Sequence, residues 1–197
     1  DVINLNETTP DFNLNIMQDY LNTWSTKFDM EYGGSKGMPK FMMPNNLHFL
    51  LKYSYQTKNK EIQKFVEISL EKMAFGGVYD QVGGGFSRYS VDSKWHIPHF
   101  EKMLYDNAQL ISLYSDAYKL TKNSLYKNVV YETIGFINSE LKDISGGYYS
   151  SLDADSKTDE NVLEEGAFYV WTEEELIKVL KEKFKVFSDY YNINEYG

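Results

Sequence analysis

The sequence predicts an all-helical protein built from paired helices, and three observations carry that reading. Apolar residues recur at helical spacing in seven stretches. Long alternating apolar–polar stretches are nearly absent. Two kinds of connector alternate along the chain: short polar turns, and long loops that open with a glycine pair.

The first helix carries Leu14, Met17, Leu21, Trp24 and Phe28 on one face. The second is short, with Leu47, Leu50, Leu51 and Ser54 after Pro44 and an Asn45-Asn46 start. Ile62, Phe65, Val66, Ser69, Leu70 and Met73 give the third the cleanest stripe. A fourth is expected from about Pro98 to Leu120, with Phe100, Met103, Leu104, Leu110, Ile111, Tyr114, Ala117 and Tyr118 spread widely enough to pack on more than one side. Leu125, Val129, Val130, Thr133, Ile134, Ile137 and Leu141 form the fifth. The sixth opens at Thr172 and Glu175, a capping box in which hydroxyl and carboxylate satisfy exposed amides, and continues through Leu176, Val179, Leu180 and Phe184. Phe187, Tyr190 and Tyr191 mark a short seventh.

The polar connectors 56–59 (QTKN) and 121–124 (TKNS) read as tight turns between antiparallel helices. The long connectors open at Gly33-Gly34, Gly76-Gly77 and Gly146-Gly147, and the last two continue into Val78-Tyr79 and Tyr148-Tyr149. Strict alternation would place the three long loops at one end of the helix layer, converging on one face. Each pair also reads as a helix C-cap with left-handed backbone, but capping does not account for loops so long, polar and aromatic. Two of the loops are expected to hold β-hairpins. Residues 84–91 would turn at 92–94 into 95–97, and residues 147–152 would pair with 166–171 around an acidic segment, 153–165.

With 42% hydrophobic residues, the 197-residue chain can bury a core as one domain or two small ones. Aromatics reach 16%, with 17 Tyr and 12 Phe, which suits a cleft lined by stacking surfaces. A net charge of −9 without a basic stripe argues against nucleic acid. The absence of cysteine excludes disulfides, cysteine zinc sites and a thiol nucleophile within these residues. No apolar run approaches a membrane span, so no membrane association is expected, and the location is read as cytoplasmic. Residues 1–6 (DVINLN) show neither a signal peptide nor an initiator Met, and the chain stops just after a helical pattern. Both ends read as cut, and the chain as a fragment of a longer one.

The densest chemistry lies in the central loop, where Arg88, Tyr89, Trp95, His96, His99, Glu101, Lys102, Tyr105 and Asp106 all fall between positions 88 and 106. A helix starting at Pro98 would place His99 one turn from Lys102 and Lys102 four residues from Asp106. Histidine near arginine and carboxylates is raw material for proton transfer near neutral pH. Equally, Lys102 and Asp106 read as a helix-surface ion pair, and His99 as a partner of a backbone carbonyl. A zinc reading of His96 and His99 with Glu101 meets two objections: zinc sites usually need three or four protein ligands, and an HxxH containing Pro is not the helical i, i+4 arrangement. A calcium reading of the acidic loop has Lys157 at the fifth position and Thr158 where the sharp turn demands Gly. No metal and no cofactor is therefore expected, and Asp153 and Asp155 read instead as pointing into the cleft. Paired carboxylates would also serve glycoside hydrolysis, which needs a separation that sequence does not supply.

Residues 76–92 (GGVYDQVGGGFSRYSVD) and 95–110 (WHIPHFEKMLYDNAQL) closely resemble one family, the YyaL or spermatogenesis-associated family. Three other segments match it: 37–41 (GMPKF), 151–156 (SLDADS) and 165–172 (EGAFYVWT). The matching motifs span roughly residues 33 to 175. Members of that family join an N-terminal thioredoxin-like domain to a helical domain similar to N-acylglucosamine 2-epimerases. The resemblance implies an (α/α)6 toroid of the six-hairpin glycosidase type, with this chain as a single partial domain, about half the ring. It also implies an apolar edge facing the rest of the ring, and a thioredoxin-like domain before residue 1 in the same polypeptide. The related epimerases move a proton at C2 of a sugar with histidine pairs and an arginine near the reacting oxygen.

These readings lead to a small polar ligand, a sugar, as the expected partner. His96 or His99 would act as acid or base, and Arg88 and Lys102 would hold oxyanions. Tyr89 and Trp95 would stack on the ring, Asp153 and Asp155 would bind its hydroxyls, and Glu101, Tyr105 and Asp106 would complete the substrate-binding set. Lyase or hydrolase chemistry with carboxylates is the nearest variant. The alternative is a non-catalytic binding or scaffold module serving the thioredoxin-like domain, with Arg88, Asp106 and Asp153 in a structural polar network.

Overall fold

The computed structural model describes residues 14–158 and 160–194. The N-terminal segment 1–6, Asp159 of the acidic loop and the final residues 195–197 lie outside the described residues. Seven α-helices appear among the described residues, close to the seven expected stretches. They are α1 (Leu14–Ser25), α2 (Pro44–Thr57), α3 (Lys60–Phe75), α4 (Leu104–Thr121), α5 (Ser124–Phe136), α6 (Glu173–Leu180) and α7 (Phe184–Tyr191). A π-helical turn, Ile137–Leu141, extends α5.

The hairpins α2–α3 and α4–α5 stack side by side, α2 on α4 and α3 on α5, as a two-layer block. Leu50, Val66, Leu70, Leu110, Leu113 and Tyr114 fill its interior and are fully buried. The helix α1 lies against this block through Leu21, and just beyond its end the Phe28 ring stacks on Phe65 at 3.7 Å.

Both short turns are built alike because both read Thr-Lys-Asn. Lys58 and Lys122 adopt left-handed backbone, and each amide returns to the helix just ended, at Ser54 O and Tyr118 O. Asn59 and Asn123 then cap the next helix, accepting from the Ile62 and Leu125 amides at 3.0 Å. This is capping by a side-chain oxygen. The capping box at Thr172 and Glu175 is likewise present.

The long loops do converge, and short strands join them. In the first loop β1 (Lys40–Phe41) pairs antiparallel with β2 (Tyr89–Ser90) of the second, which pairs with β3 (Pro98–His99). Further along the second loop, β4 (Lys102–Met103) pairs with β5 (Ser151–Leu152) of the third. The third loop then folds on itself as β6 (Asp155–Lys157) and β7 (Leu163–Glu165).

Four sequence expectations change here. The fourth helix begins at Leu104, not Pro98, because Pro98 and His99 form the edge strand β3, where a residue without an N–H is tolerated. His99 and Lys102 therefore do not share a helix face. The first hairpin is real but pairs Tyr89 with His99, and its turn is organised by Asp92, which accepts from the Lys94, His96 and Ile97 amides. The second hairpin is replaced: residues 151–152 pair with the central loop rather than with 166–171. The sixth helix stops at Leu180, and a short 3-10 turn, Lys181–Lys183, leads into α7.

The glycine repeat also changes register. Gly33-Gly34 and Gly146-Gly147 correspond in structure to Gly84-Gly85, not to Gly76-Gly77. In each case an aspartate opens the turn: Asp29, Asp80 and Asp143 take the amides of Gly33, Gly84 and Gly146 on their carbonyls, at 2.9, 3.0 and 2.9 Å. Their Oδ1 atoms accept further turn amides, those of Glu31 and Tyr32, Val82 and Gly83, and Ser145. Gly76 caps α3 with an extended backbone, and Gly77 is glycine for a different reason. A Cβ there would lie 1.9 Å from the His96 carbonyl oxygen.

An apolar edge is exposed along the last helices, where Val186 is 74% and Tyr190 80% accessible. Among the described residues no helix is long and apolar enough to cross a membrane.

Candidate functional site

The central loop presents a chain of charged groups on the face where the three loops meet. Arg88 precedes β2 and Glu101 precedes β4, and the Arg88 amide donates to the Glu101 carbonyl at 2.8 Å. That backbone pairing brings their side chains together, with Arg88 Nη1 3.0 Å from Glu101 Oε2. The Tyr105 phenol also interacts with the guanidinium.

His99, on β3, lies directly across from Tyr89, and their rings stack at 4.8 Å and 16°. Phe41 of the first loop covers Tyr89 in turn, at 4.9 Å. His99 Nδ1 is 2.7 Å from Glu165 Oε1, and its Nε2 is 3.9 Å from Glu101 Oε2. Asp106 sits in the first turn of α4, where the helix N-terminus favours negative charge. Burial nevertheless raises its pKa to about 6; the Arg88 guanidinium opposes the rise and the Glu101 carboxylate adds to it.

The other predicted residues are placed differently. Trp95 is fully buried, and its indole N–H donates to the Tyr32 carbonyl at 2.8 Å, so its ring is part of the core and presents no stacking face. Lys102 is buried as well. Its ammonium donates to Asp80 Oδ2 at 2.7 Å and to the Gly84 carbonyl at 2.9 Å, so it pairs with Asp80 rather than with Asp106. Burial alone would raise the Asp80 pKa, but the Lys102 ammonium and the Gly83 and Val82 amides more than reverse this and hold it below the ordinary value. His96 is exposed on the turn after Asp92, to which its backbone amide donates. Asp153 and Asp155 are both exposed; Asp153 accepts the Asp155 amide, and Asp155 stands opposite Glu165 in the β6–β7 ladder.

Two partners escaped the sequence reading. Asp80 was legible in principle, as the second of three aspartates that each open a glycine turn. Glu165 lies 66 residues from His99, and no spacing announces their contact. The third histidine, His48 on α2, pairs with Asp116 of α4 at 2.8 Å. Beside the charged chain an open groove of about 620 Å³ runs between the central loop and α6–α7, with Tyr79, Phe100, Lys102, Tyr169, Trp171 and Tyr191 among its walls. Among the described residues no group of three or more His, Asp or Glu is arranged to hold a metal ion.

No protein-family model matches the chain. It is 42% identical over 160 residues to spermatogenesis-associated protein 20 of Mus musculus, and equally so to that of Homo sapiens. These matches take in 79% of this chain and 20% of each relative, so the chain spans about a fifth of their length. An uncharacterized protein of Caenorhabditis elegans is 38% identical over 187 residues, covering 87% of this chain and 26% of that one. Among solved structures, a sugar epimerase from a ruminal bacterium superposes with a TM-score of 0.63 at 16% identity, over 90% of this chain and 52% of that one. Cellobiose 2-epimerase from Bacillus thermoamylovorans gives 0.60 at 15%, over 92% and 51%. A family 76 glycoside hydrolase from a bovine Bacteroides thetaiotaomicron strain gives 0.58 at 14%, over 89% and 40%. The described helices are thus about half of an (α/α)6 toroid. Over the segment shared with these relatives, the chain belongs to the spermatogenesis-associated family.

Proposed function

We propose that this chain forms one wall of a sugar-binding cleft and that its chemistry is epimerase- or isomerase-like proton transfer. The observation that carries the reading is His99, stacked on Tyr89 and held at Nδ1 by Glu165, beside the Arg88–Glu101 pair. In this reading His99 takes the proton from the carbon next to a sugar carbonyl. The guanidinium of Arg88, with donors to spare beyond Glu101, stabilises the oxygen that becomes negative. Asp106, with a pKa of about 6, is a second group suited to exchange a proton near neutrality. Likeness to sugar epimerases supports the reading through the fold only. The thioredoxin-like domain and the rest of the toroid are proposed to lie in the same polypeptide.

The test is a screen of sugars on the full-length protein in deuterated water, following exchange of the C2 proton. Exchange with at least one sugar, lost in His99→Ala with Arg88→Ala at unchanged melting temperature, supports the enzyme. Saturable sugar binding with no exchange for any sugar sinks the epimerase reading.

One observation favours a second reading, a scaffold module for the thioredoxin-like domain. Arg88 and His99 both already hold carboxylate partners, and the His99–Glu165 contact ties the second loop to the third. A large loss of stability in the double variant, without turnover in the wild type, would support the scaffold.

A further inference from the structure

His99 lies between two carboxylates at unequal distances, and the inequality has chemical content. Glu165 Oε1 is 2.7 Å from Nδ1, within hydrogen-bond range, whereas Glu101 Oε2 is 3.9 Å from Nε2, beyond it. An ionised carboxylate only accepts, so the short contact requires the proton on Nδ1. In a neutral imidazole the lone pair then falls on Nε2, the nitrogen on the side of Glu101 and Arg88.

The backbone that carries Glu165 is held in place by its surroundings, while its side chain is half exposed. Glu165 ends β7, opposite Asp155, and the next amide, Gly166, donates to the Ala154 carbonyl at 2.9 Å. Gly166 has φ +77, and a Cβ there would lie 2.4 Å from the Phe100 ring. Phe100 directly follows His99 and stacks on Tyr169 at 5.5 Å. The close approach of Gly166 to Phe100 therefore sets the distance between the two residues that precede them, Glu165 and His99. Tyr89 restrains the ring from its face.

We infer that Glu165 is a positioning residue, which holds His99 in the Nδ1–H form and leaves Nε2 as the proton acceptor toward the ligand. The inference rests on the reading of His99 as the acid/base group. Orientation of a catalytic imidazole by a carboxylate on its far nitrogen is sound chemistry wherever a histidine must present one defined lone pair. Glu165 itself touches no reacting atom.

Nitrogen NMR of histidine-labelled full-length protein above neutral pH, with the His99 signals assigned by their loss in His99→Gln, reads the tautomer directly. The Nδ1–H form is expected in the wild type and in Glu165→Gln, whose amide oxygen still accepts. A shift to the Nε2–H form or a mixture is expected in Glu165→Ala, with C2 exchange reduced at least about tenfold. A wild-type His99 in the Nε2–H form, or an unchanged tautomer in Glu165→Ala, overturns the inference whether or not sugars exchange. A tautomer change in a protein that exchanges no sugar leaves Glu165 as the positioning residue and removes only the epimerase reading.

Discussion

Lys40 and Lys102 make the same bonds in two successive loops. Each ammonium lies between an aspartate Oδ2 and a turn glycine carbonyl, Asp29 and Gly33 at 2.6 and 2.6 Å for Lys40, Asp80 and Gly84 at 2.7 and 2.9 Å for Lys102. Each lysine also sits on the strand that pairs with the next loop, opposite Ser90 and Leu152 respectively. A role that recurs in both repeats belongs to the architecture, so Lys102 is read as a plug of its own turn. Lys40 follows Gly34 closely. A much longer stretch, holding Arg88, Tyr89, His96, His99 and Glu101, separates Gly85 from Lys102. The residues outside the repeat are the better candidates for chemistry.

Removing either plug leaves a partly buried aspartate without its cation, its side chain 15% exposed at Asp29 and 17% at Asp80. Lys102→Met and Lys40→Met are each expected to cost about 2–3 kcal/mol in urea denaturation, the loss of charged hydrogen bonds to a carboxylate that water partly screens. The acid side has a definite sign. Because the folded-state pKa of Asp80 is depressed, its contribution is complete above the usual 3.8 and is lost as pH falls through the lower folded value. Asp80→Asn should therefore flatten the acid limb of stability below about pH 4.

Gly77 and Gly37 separate the two uses of glycine. Alanine at 77 would drive its Cβ onto the His96 carbonyl, a backbone atom that cannot rotate away. A loss of about 3 kcal/mol or more is expected, with the 92–97 turn displaced. Gly37 has φ +96 and open space around it, so Gly37→Ala should cost only the conformational strain, about 1–2 kcal/mol. Equal losses at both positions would contradict this account.

Trp95 is expected to behave as core. Trp95→Phe keeps a ring but leaves the Tyr32 carbonyl without its donor and part of the site unfilled. Thermal or urea melts should show a loss of about 1–3 kcal/mol. Ligand affinity, measured well below the melting point, should stay within about twofold if the ring plays no part in binding.

Asp106 is expected to destabilise the protein once it ionises. Its folded-state pKa is raised from 3.8 to about 6, so folding binds a proton that the unfolded chain has released, and stability falls as pH rises across that window. Asp106→Asn should be more stable than wild type at pH 7.5 by about 1 kcal/mol, a figure discounted for the solvent screening of a half-exposed carboxyl. The gain should vanish near pH 4. If Asp106 also exchanges protons with the ligand, the same variant should lose the inflection near pH 6 in a C2-exchange profile.

What the sequence determined by itself is what local chemistry decides. Seven apolar stripes became seven helices, two Thr-Lys-Asn turns came out alike, and Thr172 and Glu175 formed their box, because caps and periodicity act within a few residues. The convergence of the long loops was also legible, from the alternation of connectors. Tertiary structure alone decided which strands pair across loops, and with them the start of α4 at Leu104 and the register of the glycine turns. It buried Trp95 and Lys102, left His96 exposed, and set Glu165 against His99. Two-residue strands carry almost no periodic signal, and a contact across 66 residues leaves no spacing in the chain to read. Packing of the loops on one another supplied both.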